Sequence, residues 1–150
     1  MYLITNLISL KKIYIASDHA GYSLKEFLKK KLSNKFSFID LGTNKASVSV
    51  NYPFFAHKLS KKVSKNVKNY GILICGSGLG MSMAANRHKN IRAALCYTVK
   101  NTKLSRLHNN SNVITLGSRL IKKNHALKLI NVFFETKFEG GRHKKRIRKI

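Results

Sequence analysis

Ile72-Leu73-Ile74-Cys75-Gly76-Ser77-Gly78-Leu79-Gly80-Met81 is an apolar run that stops at a cysteine, with glycine then at three alternate positions. The run has the composition of a buried strand, and a helix can continue through Met83, Ala84 and Ala85. Glycine at every second place lets the backbone turn so that successive N–H groups face one concavity, which suits an anion. A helix beginning there adds free N–H groups and the positive end of its dipole. Strand, glycine turn and helix in that order form the working unit of an α/β fold.

The same alternation extends in both directions. Upstream, Ile13 to Ala16 reads as a strand ending at Ser17-Asp18-His19-Ala20-Gly21, and Ser23 with Glu26 reads as the capping box of a helix bearing Leu24, Phe27, Leu28 and Leu32. Phe36 to Leu41 is a second strand closed by Gly42, and the polar stretch Thr43 to Asn51 leads to a helix opened by Tyr52-Pro53. Downstream, Ile91 to Cys96 and Val113 to Leu116 read as strands, separated by a polar helix over 99–108. A last helix carries Ala126, Leu127, Ile130, Phe133 and Phe134, and the basic tail from Glu139 to Arg146 comes after it. Five short apolar strands alternating with helices predict one three-layer α/β/α domain, Rossmann-like, around a five-stranded parallel sheet. The predicted domain spans 12–150, and residues 1–11 form an N-terminal extension without a basic leader or cleavage site.

In such sheets ligands sit beyond the carboxyl ends of the strands. Asp18, His19, Cys75 with its loop, and Arg119 all directly follow a strand, so they are expected on one edge. His108 and Asn109 lead into the fifth strand, which leaves their side of the sheet open.

Thirty basic residues against five acidic ones leave a formal charge of +25 over 150 residues. That balance suggests a polyanionic partner such as nucleic acid, which would gather the lysines on one face. The alternative is compositional: Lys, Asn and Ile are all abundant, and the lysines run along the whole chain. No apolar stretch reaches membrane-spanning length. Two cysteines without a secretion signal fit reduced thiols and a cytoplasmic location.

Several phosphate-loop chemistries are excluded by spacing. The third glycine of a dinucleotide fingerprint would fall one place after Gly80, a cysteine phosphatase needs arginine where Met81 stands, and a P-loop needs Lys-Ser/Thr. A thiol at a helix N-terminus can act as base or nucleophile, although a cysteine ending a strand can equally be a small core residue. Asp18-His19 can share a proton, or Asp18 can simply close a turn. Arg142 and Arg146, four apart, can clamp a phosphate or remain solvated. No metal-ligand spacing is present.

Together these segments resemble the sugar-phosphate isomerases of the ribose-5-phosphate isomerase B type, a family that includes galactose-6-phosphate isomerase subunits. The resemblance runs from about residue 12 to 146. It rests on Ser17-Asp18-His19-Ala20-Gly21, Asp40-Leu41-Gly42-Thr43, Tyr52-Pro53, Ile74-Cys75-Gly76-Ser77-Gly78-Leu79-Gly80 and Ala84-Ala85-Asn86. It continues through Ile91-Arg92-Ala93, Leu104-Ser105-Arg106-Leu107-His108-Asn109, Gly117-Ser118-Arg119 and Glu139-Gly140-Gly141-Arg142-His143.

The resemblance implies an aldose–ketose isomerase of the pentose phosphate pathway that needs no metal or organic cofactor. Cys75 matches the base that moves a proton through an enediolate, and Ser77 helps to place it. Gly76, Ser77, Gly78, Leu79 and Gly80 match the oxyanion cradle. His108, assisted by Asp18, matches the residue that opens the furanose ring. Asp18, His19 and Asn109 match sugar or phosphate contacts, and Arg119, Arg142 and Arg146 match the phosphate-holding end. The family's active site lies between subunits, implying a homodimer, with pairing into tetramers left open. Ribose 5-phosphate is the expected substrate, a six-carbon sugar phosphate the alternative, and a basic nucleic-acid-binding protein the alternative from another class. Asn51 stands where the family usually has Asp. Some members use a Glu after the glycine loop as base, but this chain has no acid from 41 to 134, so Cys75 is the only candidate.

Overall fold

The computed structural model describes residues 9–150; most of the expected N-terminal extension lies outside them. Five parallel strands, β1 (Lys11–Ser17), β2 (Phe36–Asp40), β3 (Gly71–Cys75), β4 (Ala93–Leu95) and β5 (Val113–Gly117), form one sheet in the order β2-β1-β3-β5-β4. β3 is central, with β1 on one side and β5 on the other. The three-layer α/β/α arrangement predicted from the alternation is therefore the one observed.

Alternation along the strands decides the two cores. Ile13, Ile15, Ile72, Ile74, Ile114 and Leu116 point into one layer, against Leu24 and Leu28 of helix α1 (Tyr22–Lys31) and Leu129, Ile130 and Phe133 of α5 (Lys123–Glu135). Ala16, Leu73, Cys75 and Val113 point into the other, against Phe55, Ala56 and Leu59 of α2 (Tyr52–Val63) and Met81 and Ala85 of α3 (Leu79–Ala85). α4 (Val99–Leu107) packs on α5.

Local expectations needed revision in three places. Ser23 lies inside α1 and makes no cap; the preceding turn is closed by Asp18, whose Oδ1 accepts the Gly21 amide at 3.0 Å. Glu26 instead joins an ion cluster in which the buried Lys25 (1% exposed) donates to Asp40 Oδ2 at 2.6 Å and to the Thr43 carbonyl at 2.7 Å. Burial alone would raise the Asp40 pKa, but hydrogen bonds from Lys25, Lys29 and the Gly42 amide carry it below the usual carboxylate value. The tail, which has no apolar periodicity, folds as a sixth helix, α6 (Arg142–Ile147), anchored by the buried His143.

Exposed lysines project from α1 (Lys30, Lys31) and α2 (Lys58, Lys61, Lys62), on opposite faces of the sheet, and from α4 (Lys100, Lys103). The charge is scattered rather than gathered, as the compositional reading of the basic balance requires. No helix among the described residues is long and apolar enough to cross a membrane.

Candidate active site

The strand ends at the carboxyl edge converge on a cavity of about 430 Å³ lined by residues that include Asp18, His19, Tyr52, Cys75, Gly76, Ser77, Gly80 and Arg119. Cys75 is the last residue of β3, and the chain turns sharply after it. Gly78, at φ +77°, is the one residue of the glycine loop in the left-handed region. That turn brings the Gly78 amide to 3.1 Å from Cys75 Sγ, so the loop first donates to the thiol itself. The Leu79 amide donates to Ser77 Oγ at 3.2 Å, which leaves the remaining amides of the loop for an incoming anion.

The three glycines therefore have different reasons. Gly78 supplies the backbone conformation. Gly80 lies inside α3 rather than in the loop, and a Cβ there would run into the Tyr52 ring. At Gly76 the neighbour is the Arg119 side chain, whose guanidinium would stand 3.0 Å from a Cβ. Neighbouring elements hold the loop: Tyr97 Oη donates to the Ser77 carbonyl at 3.0 Å, and the Arg119 amide donates to the Gly76 carbonyl at 3.0 Å. His19 Nδ1 accepts the Val50 amide at 3.1 Å, which ties the 43–51 loop to the turn after β1.

Cys96, the second thiol, is buried and free. Burial pushes its pKa up, against hydrogen bonds from Thr102 and Ser105, and it makes no part of this cavity.

His108, Asn109, Arg142 and Arg146 are elsewhere. α4 runs back from the end of β4, so His108, its C-cap, emerges at the amino edge just before β5 starts. α5 returns the chain to the same edge, and the Glu139 amide donates to the Leu107 carbonyl at 3.1 Å. A second cavity of about 360 Å³ is lined there by His108, Asn109, His143, Arg146, Ile147 and Ile150. Arg142 opens α6, on the same turn-spaced face as Arg146. The buried Arg106 supports this edge by donating to the Ser111 carbonyl, Asn110 Oδ1 and the Thr136 carbonyl.

The two groups of expected residues are thus separated by the length of the sheet, roughly 16 Å for a five-residue strand. Asp18, His19, Cys75, Ser77 and Arg119 meet; His108, Asn109 and Arg146 meet; within one chain the groups do not meet each other.

Sequence reasoning assigned no role to Glu139 and His143, and both contact His108. Glu139 Oε2 is 3.8 Å from Nε2 of each histidine, and the donor atoms of the three lie within 4.8 Å of one another. Arg142 and Arg146 flank the group, an unfavourable field for a cation, and we do not read it as a metal centre. The signals available were the scarcity of carboxylates for Glu139 and, for both residues, their place in the Glu139-Gly140-Gly141-Arg142-His143 segment that carries the resemblance.

A strand-end thiol under a backbone amide, with acid, histidine and arginine around an open cavity, is an arrangement suited to proton transfer on a small anionic substrate. A family model described as Ribose/Galactose Isomerase matches residues 13–150. The chain is 45% identical over 140 residues to a probable ribose-5-phosphate isomerase B of Mycoplasma genitalium, covering 92% of each. It is 37% identical over 142 residues to ribose-5-phosphate isomerase B of Escherichia coli, covering 94% of this chain and 95% of that one. Among solved structures, ribose 5-phosphate isomerase B from Thermotoga maritima superposes with a TM-score of 0.89 at 47% identity, covering 93% of this chain and 96% of that one. The Mycoplasma genitalium enzyme with bound ribulose-5-phosphate superposes with a TM-score of 0.89 at 44% identity, covering 92% of each chain. The chain belongs to this family of isomerases.

Proposed function

We propose that this chain interconverts ribose 5-phosphate and ribulose 5-phosphate through an enediolate, with Cys75 as the base. The observation that carries this reading is the Gly78 amide 3.1 Å from Cys75 Sγ at the wall of a cavity that also holds Asp18, His19 and Arg119. The thiolate takes the proton from C2 of the open aldose and charge moves onto O1; a proton passes from O2 to O1, and the proton on sulfur returns at C1 as the C2 carbonyl forms. Loop amides not already engaged receive the oxyanion. Donors fixed in advance contribute about 3 kcal/mol each to such a step, and a positioned base about 10²–10⁴-fold in rate. The ribulose-5-phosphate bound to a relative 44% identical supports a five-carbon substrate.

The working unit in this reading is the domain 12–150, paired as a homodimer. One copy's carboxyl edge supplies Cys75, Ser77, Asp18, His19 and Arg119. The other's amino edge supplies His108, which opens the furanose with help from Asp18, together with Asn109, Arg142 and Arg146 for the sugar and its phosphate. The separation of the two edges within one chain supports this arrangement.

Purified protein assayed with chelator on a panel of five- and six-carbon sugar phosphates tests the reading. Wild type is expected to turn over ribose 5-phosphate best, and Cys75→Ala to lose at least about 10³-fold with its melting curve unchanged. Retained turnover in Cys75→Ala removes the cysteine as base, and preference for a six-carbon phosphate removes the substrate.

A further inference from the structure

Five carboxylates serve the whole chain, and four have evident partners. Asp18 accepts the Gly21 amide, Glu26 and Asp40 meet Lys25 and Lys29, and Glu135 lies against Lys35. Glu139 alone faces histidines. Its Oε2 sits 3.8 Å from Nε2 of both His108 and His143, whose rings stack with centroids 4.2 Å apart and planes 12° from parallel.

This arrangement is built by the backbone. The Glu139 amide is tied to the end of α4 through the Leu107 carbonyl, and Gly140 and Gly141, at φ +74° and +53°, then reverse the chain into α6. Open space surrounds both glycines, so their positive φ, not crowding, is what a side chain there would oppose. The reversal slides His143 against the His108 ring. His143 lies at the wall of the amino-edge cavity but is only 5% exposed, its Nε2 has no hydrogen-bond partner, and the groups it touches are Glu139 and the His108 ring, through which it acts. Burial lowers its proton affinity, as do His108, Arg142 and Arg146, while Glu139 opposes them. A buried ring that resists protonation is a flat support for His108 rather than a rival for the cluster's proton.

We propose that Glu139 and His143 are positioning residues for His108, holding its ring in one orientation and keeping a proton on Nε2 for the sugar's ring oxygen. This rests on the ring-opening role given to His108 above. In that step the C1–O4 bond breaks and its electron pair stays on O4, which takes the imidazolium proton. The O1 hydroxyl passes its proton to Asp18 of the second copy as C1=O1 forms. Protons given and taken balance, and no redox partner is required. Glu139 faces the imidazolium without touching the sugar, and it compensates the charge that Arg142 and Arg146 place beside it.

Separating ring opening from the carbon–hydrogen step distinguishes this role from a structural one. Ribulose 5-phosphate carries its phosphate on the only hydroxyl able to close a five-membered ring, so it enters open, and exchange of its C1 proton with deuterated water on the enzyme needs the enediolate but no ring. Because the equilibrium constant is fixed, impaired ring opening lowers kcat/KM for isomerisation equally in both directions and leaves that exchange running. Glu139→Gln is expected to lower kcat/KM for ribose 5-phosphate about tenfold or more, with C1 exchange into ribulose 5-phosphate within about twofold of wild type. His143→Asn is expected to show the same split more weakly, and Glu139→Asp to recover part of the loss. Exchange lost in step with isomerisation, or no loss of isomerisation, in Glu139→Gln overturns the inference. His108→Asn is the control: if it lacks the split, the ring-opening reading itself falls, and if it shows the split while Glu139→Gln does not, only the present inference falls.

Discussion

At the carboxyl edge each functional side chain follows a strand directly, and the backbone does much of the work: a left-handed Gly78, an amide on Cys75 Sγ, and carbonyls of the loop tied by Tyr97 and Arg119. At the amino edge the functional side chains sit on helix ends. Their order comes from side-chain packing: stacked imidazoles, a carboxylate between them, and the buried Arg106 guanidinium beneath. The first kind of site suits carbon–hydrogen chemistry, where donors must already be in place when charge develops. The second suits binding a phosphate and moving a proton on a flexible ring, where charge and orientation matter more than backbone exactness. In the proposed reading neither half completes the reaction alone.

The sharpest way to break this contrast is complementation. Cys75→Ala and His108→Asn proteins, each expected to be inactive with ribose 5-phosphate, are mixed under conditions that exchange subunits. If each site draws one edge from each copy, half of the randomly formed dimers are mixed, and one of their two sites is intact. Activity should then return to about a quarter of wild type. No recovery means that the two edges do not meet across copies.

A smaller effect is expected on the amino edge. Arg146→Ala removes the guanidinium proposed to hold the phosphate and should raise KM roughly tenfold or more while kcat changes little. An unchanged KM would take the phosphate away from α6.

The carboxyl edge also depends on a charge pair remote from the chemistry. Asp40→Asn takes the 2.6 Å carboxylate from the buried Lys25 and leaves it the Thr43 carbonyl and the more distant Glu26, a loss of about 2–3 kcal/mol by denaturant unfolding, with kcat at 25 °C little affected. Because the Asp40 pKa is lowered in the folded protein, its contribution is complete above the ordinary carboxylate range and fades as pH falls through the native value. The variant should therefore lose less stability on acidification than wild type does; parallel acid melts would discount the ion cluster.

The carboxyl edge was legible almost residue by residue. A strand-end cysteine, alternate glycines and a following helix are local features, and the rule for ligands in parallel sheets gathers the residues just past each strand. The capping box at Ser23 failed because Asp18 closes that turn first, and Gly80 was placed in the loop because sequence does not show that the Tyr52 ring needs the space. The tail was the largest miss: Arg142–Ile147 has no apolar period, and its helix exists because His143 is buried against His108.

By itself the sequence determined the alternation of strands and helices, the thiol beside its amide-rich turn, and the family to which the pattern points, because those signals lie within a few neighbouring residues. Strand order, the placement of His108 and Cys75 on opposite edges, and the meeting of His108, Glu139 and His143 were decided only by the tertiary structure. Each depends on residues tens of positions apart, whose approach is set by how helices of fixed length return across the sheet.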